Sequence, residues 1–168
     1  MKFKLTHSLV AITMIASPLV FADDAKMYPG ADCDRHSGSD NYDRNNGSIR
    51  NSSTELKLVV MCPILKTTTD TIGGGELRLI DRNPGGNVKC TIYSDGENGR
   101  SHAEAKTKGS SPFPQEKSFG PVIPMGADAH HYIKCVIPPA MENPNNSNNP
   151  RRSAVVSYQV NTLSPPVM

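Results

Sequence analysis

Short runs in which apolar and polar residues alternate, separated by Gly, Pro, Asn and Asp, constrain this chain more than any other feature. Residues 54–62 place Leu56, Leu58, Val60 and Cys62 on one face, and residues 75–81 do the same for Leu77 and Leu79. Residues 87–93 align Val88, Cys90 and Ile92. Residues 130–137 align His131, Ile133, Cys135 and Ile137, and residues 154–161 align Val156, Tyr158 and Val160. A period of two is the signature of half-buried strands. Further strands are expected at 101–107, near Ile49, and as an edge strand from Phe119 to Ile123 bounded by Pro121 and Pro124. No stretch keeps a helical period over ten residues, and prolines are scattered throughout. The expected fold is all-β: an antiparallel β-sandwich, with a barrel as the alternative.

The segments between these runs read as connections. Asp34 to Ser48 is a loop rich in Asp, Asn, Ser and Gly, and residues 107–118 form a polar, proline-containing loop. Gly73–Gly75 and Asn83–Gly86 are expected as tight connections needing unusual φ angles. Asp95–Gly99 reads as a hairpin turn. Residues 138–150 have the composition of a surface loop.

Residues 1–22 have the layout of a secretory signal peptide. Lys2 and Lys4 form a positive start, Leu9 to Val20 is apolar, and Val20-Phe21-Ala22 offers a cleavage site. The apolar stretch falls short of the roughly 20 residues of a membrane span. Residues 23–168 are then a single exported domain, secreted or periplasmic. Export places Cys33, Cys62, Cys90 and Cys135 in an oxidising compartment, and four cysteines allow three pairings. We favour Cys33–Cys62, closed by a loop that folds back, and Cys90–Cys135, meeting across the core. No Cys-x-x-Cys spacing suggests a redox or zinc site.

Charge excludes one class of partner. Lys2 and Lys4 account for two of the 18 Lys and Arg, so residues 23–168 carry 16 against 16 Asp and Glu. General electrostatic binding to nucleic acid needs an excess of basic residues. Two constellations merit weighing as chemical sites. Asp128 with His130 or His131 has the residue types of a general base or a metal site in a small hydrolase or metal-dependent enzyme. Adjacent histidines on a strand, however, point to opposite faces. Asp32, Asp34, Asp40 and Asp43 supply oxygens of the kind that bind Ca²⁺, although Ser37 stands where an EF-hand loop needs glycine. No Gly-x-Ser-x-Gly and no phosphate-binding loop is present. With no Trp and aromatics at 5%, composition does not indicate a sugar-stacking face.

Tyr28-Pro29-Gly30-Ala31-Asp32-Cys33, Cys62-Pro63, Asp81-Arg82, Val88-Lys89-Cys90 and the run from His131 to Pro139, ending Cys-Val-Ile-Pro-Pro, span most of the domain. In these motifs the chain resembles a group of uncharacterised small exported bacterial proteins. The resemblance implies export and a two-disulfide frame, and brings no catalytic residues and no cofactor. The expected function is that of a non-catalytic binding or structural module of the cell envelope or extracellular space, with a protein or surface ligand as partner.

Overall fold

The computed structural model describes residues 24–65, 71–146 and 150–163; residues 1–22, expected from the sequence to be a signal peptide, lie outside them. Eleven strands follow in order: β1 (Asp24–Pro29), β2 (Asp34–Gly38), β3 (Tyr42–Asn45), β4 (Ser48–Asn51), β5 (Leu58–Pro63), β6 (Thr71–Asp81), β7 (Lys89–Gly96), β8 (Gly99–Lys106), β9 (Ser111–Phe119), β10 (His130–Ile137) and β11 (Ala154–Leu163). One 3₁₀ turn, Gly30–Asp32, follows β1. The strands form two antiparallel sheets. One runs β3-β4-β11-β6-β9, with β1 also on β11; the other runs β2-β5-β10-β7-β8. Strands β4 and β1 share the same edge of β11, β4 pairing with Ala154 and Val155 and β1 with residues 157–162. Between the sheets lies one core, drawn from Ile49, Leu77, Leu79, Val155, Tyr158 and Val160 on one side and Leu58, Val60, Ile92, Ile133 and Ile137 on the other. This is the expected sandwich rather than the barrel.

Both disulfides form as paired above, Cys90–Cys135 within the five-stranded sheet and Cys33–Cys62 joining its strand β5 to the residue that leads into β2. Cys90 and Cys135 are directly opposed on neighbouring strands β7 and β10, with Cα atoms 4.1 Å apart. They therefore tie one sheet internally instead of crossing the core. Cys33 and Cys62 do the same just before β2, where Asp34 pairs with Met61.

Several boundaries differ from the sequence reading, each for a local reason. The run at 54–62 starts as a strand only at Leu58, and Leu56 is 57% exposed. Side chains hold residues 51–56 in a turn: Ser53 Oγ accepts from the N–H groups of Glu55 and Leu56, while Asn51 Nδ2 donates to the Leu56 carbonyl. Truncating Leu58, which is fully buried, to alanine should cost roughly 2–5 kcal/mol in denaturant unfolding. The same change at Leu56 should stay within about 0.5 kcal/mol; equal losses at the two sites would contradict this placement. In β11 a bulge between Val155 and Ser157 turns Val156 out of the core and Val155 into it.

The glycine triplet lies inside β6 and is not a connection. Gly74 has φ +128°, and the register with β11 slips beside it. A Cβ on Gly75 would fall 2.5 Å from Phe119 Cζ, so glycine here admits the Phe119 ring. The supposed loops at 34–48 and 107–118 contain β2, β3 and most of β9. Strand β9 keeps Pro112 and Pro114 because it is a sheet edge. It ends at Phe119, and beyond it only Val122 bridges back, to Ile72. The Asp95–Gly99 hairpin is as expected, with Asp95 opposite Arg100 and Gly96 opposite Gly99.

Candidate functional site

Alternation along β7, β8 and β10 sends half of their residues outward, and the register sets those residues in rows. Tyr132 of β10 lies opposite Tyr93 of β7, which lies opposite His102 of β8. One row along, His130, Asp95 and Arg100 are matched in the same way. Rings therefore gather on the outer face of the five-stranded sheet. The Tyr93 and Tyr132 centroids are 5.2 Å apart with planes at 27°, Tyr93 and His102 are 5.9 Å apart, and His130 and Tyr132 are 6.0 Å apart at 18°. The Arg100 guanidinium stands 4.9 Å from the Tyr93 ring centre, within cation–π range.

A polar clamp fixes these rings. Arg100 donates through Nε and Nη2 to the two oxygens of Asp95, and the Tyr132 hydroxyl donates to Asp95 Oδ2 at 2.9 Å. A forked guanidinium–carboxylate pair sets direction as well as distance. The Arg100 hydrogen bonds, helped by the Tyr132 hydroxyl, hold the Asp95 carboxyl below the usual carboxylate range. Burial, then the bond to Asp95, pushes the Tyr132 phenol up. Both groups keep their ordinary charge at neutral pH, so the clamp is intact there. Beyond it on the same face, Lys89 and Glu104 form an ion pair at 2.6 Å.

The residues singled out from the sequence fall elsewhere or in other roles. Asp128 is exposed in the turn before β10. His131 is buried on the inner face beside Ile133, and His130 points outward to the ring row. The histidines thus occupy opposite sides of the sheet, as alternation requires. Asp34, Asp40 and Asp43 engage Arg44, Arg35 and Arg152 respectively, and Asp32 closes the 3₁₀ turn. Among the described residues, no three His, Cys, Asp or Glu side chains come together as a metal-binding group. None of their helices is long and apolar enough to cross a membrane. The ring row is not legible in the local pattern because strand order and register, not alternation, bring its members together. What the sequence does carry is the complementary set: Tyr93 and Asp95 on one strand, His130 and Tyr132 on another.

The architecture is thus a disulfide-tied antiparallel sandwich with an aromatic and charged outer face. No protein-family model matches the chain, and no curated protein matches it. Among solved structures it is similar to CBM86, a low affinity xylan binding module from the gut symbiont Roseburia intestinalis. The identity is 11% and the TM-score 0.47, covering 82% of this chain and 95% of that one. No residue role passes from that module to this chain.

Proposed function

We propose that the protein is an exported, non-catalytic binding module of the cell envelope or extracellular space, and that it holds a glycan chain on the outer face of β8, β7 and β10. The observation that carries this reading is the row of Tyr132, Tyr93 and His102 across three strands, locked by Asp95 and Arg100. An aromatic ring has an electron-rich face, which attracts the weakly positive C–H groups of a sugar ring. Arg100, His102, Glu104 and His130 border the rings with donors and acceptors for hydroxyl groups. Rings pinned by neighbours lose little freedom on binding, which favours recognition at this face. The disulfides fit an oxidising compartment, in keeping with the signal segment and with the resemblance to small exported bacterial proteins.

The test is retention by cellulose, xylan, chitin and peptidoglycan in pull-down and affinity electrophoresis. The native protein should be retained by at least one of them. Tyr93→Ala should weaken that retention by roughly tenfold or more, as for a central aromatic anchor. The lost cross-strand ring contacts alone are worth only about 0.2–1 kcal/mol of stability each, so the variant should remain folded. A native protein that none of the four retains, or a Tyr93→Ala variant retained as well as native, overturns the reading.

A further inference from the structure

The chain has eight arginines outside residues 1–22, and all eight lie among the described residues. Five have a carboxylate partner: Arg35 with Asp40, Arg44 with Asp34, Arg78 with Glu116, Arg100 with Asp95 and Arg152 with Asp43. Arg50, Arg82 and Arg151 have no ion pair among the described residues. These three are not scattered. Together with Arg152 they surround one corner of the six-stranded sheet, on the side of the molecule away from the ring row.

The register explains the shape of that corner. Arg50 of β4 lies opposite Ala154 of β11, and Ala154 lies opposite Ile80 of β6. Their chain neighbours Ile49, Val155 and Leu79 are fully buried in the core, so these three point outward. Ala154 is short, and between the longer side chains it leaves a depression of about 100 Å³ lined by Arg50, Arg82 and Arg152, with Ile80 and Ala154 among its walls. That is several times the ~10–15 Å³ of such space that a water needs. A shallower hollow continues from it past Arg82 to Arg151, Ser110 and Asn143.

The donors at this corner exceed the acceptors. Arg50 Nε is bonded to Ser48 Oγ, and one Arg82 nitrogen reaches the Pro112 carbonyl at 3.5 Å. The Nε–H groups of Arg82 and Arg152 are buried and find no acceptor among the described residues. A buried charged donor without an acceptor is costly. Asp43 supplies one negative charge, through the oxygen bonded to Arg152 and Ser52; its other oxygen is unbonded. Three guanidinium groups thus line a small hollow, and the carboxylate paired with them there is that of Asp43 on Arg152, in a domain whose overall balance is even. Guanidinium forks match the oxygens of a phosphate in angle and spacing.

We propose that this corner is a phosphate-binding site, in which Arg50, Arg82 and Arg152 hold a phosphate group, free or as a monoester, over Ala154. The site is separate from the ring row and stands or falls without it.

Calorimetric titration of the full exported domain at low ionic strength tests it, with inorganic phosphate in one arm and glucose 6-phosphate in the other. The native protein should bind in at least one arm, and added sodium chloride should weaken binding. The double variant Arg50→Gln, Arg82→Gln removes no ion pair and should bind at least about tenfold more weakly. Arg78→Gln, at the Glu116 pair, should bind like native. Binding of the ester would mark a phosphorylated ligand, and binding of inorganic phosphate alone would mark the free ion. If the double variant does not fold, NMR of the native protein decides: the Nε–H signals of Arg82 and Arg152 should move on phosphate addition. Absence of binding in both arms, equal binding by the double variant, or Nε–H signals that stay still overturns the proposal.

Discussion

Asp81→Ala is expected to lower the stability of the domain by roughly 3–5 kcal/mol. Asp81 ends β6 in one sheet and is fully buried. One oxygen accepts from the Asn83 N–H and the Ser153 hydroxyl, the other from the Val88 N–H and the Thr107 hydroxyl. Val88 and Thr107 flank the paired strands β7 and β8 of the other sheet, and Thr107 N–H closes on the Val88 carbonyl. One carboxylate therefore joins the two layers at one end of the sandwich. Alanine leaves these donors buried without it, and each such group costs about 1–3 kcal/mol, less what relaxation and the neighbouring bonds recover. Against a typical domain stability of about 5–15 kcal/mol this is a large fraction. Asp81→Asn should also destabilise, because it turns an N–H donor toward groups that themselves donate. Urea unfolding monitored by circular dichroism checks both, and a loss under about 1 kcal/mol for the alanine variant would remove Asp81 from this role.

Replacing Cys90 and Cys135 together by alanine should cost about 4 kcal/mol. The two are 45 residues apart, and the chain-entropy account assigns roughly that value to a closed loop of this length, within a measured range of about 2–5 kcal/mol. The effect should appear as a lower denaturant midpoint with little change in far-ultraviolet circular dichroism at low denaturant, since the ladder between β7 and β10 continues on both sides of the pair. Both residues are removed together so that no thiol is left to pair wrongly. A midpoint unchanged from native would show that the bond adds nothing to the folded state's advantage.

The inward strand residues were legible because burial demands apolar groups at every second position. Leu58, Leu77, Leu79, Ile92, Ile133 and Val160 all stand where alternation put them. The cysteine pairs were legible for a related reason, since Cys90 and Cys135 sit among apolar neighbours on the inner face. Strand β2 carries no such mark: all five of its residues are exposed, and only pairing with β5 makes it a strand. The hairpin between β3 and β4 did leave a signal, Asn46-Gly47 with both residues at positive φ, inside a segment whose polarity read as loop. Val156 was misplaced because one bulge shifts a period of two by one residue.

By itself the sequence determined the all-β class and most of the inner-face positions, and it favoured the observed one of the three cysteine pairings. These follow from local pattern, compartment and parity, which need no knowledge of which strand neighbours which. Tertiary structure alone decided the outer faces. Tyr93 and Tyr132 are 39 positions apart in the chain, and Arg50 and Arg152 are 102 apart; each pair meets only because sheet order and register bring its strands together. Solvent tolerates nearly any residue on an outer face, so no burial constraint writes that arrangement into the local pattern.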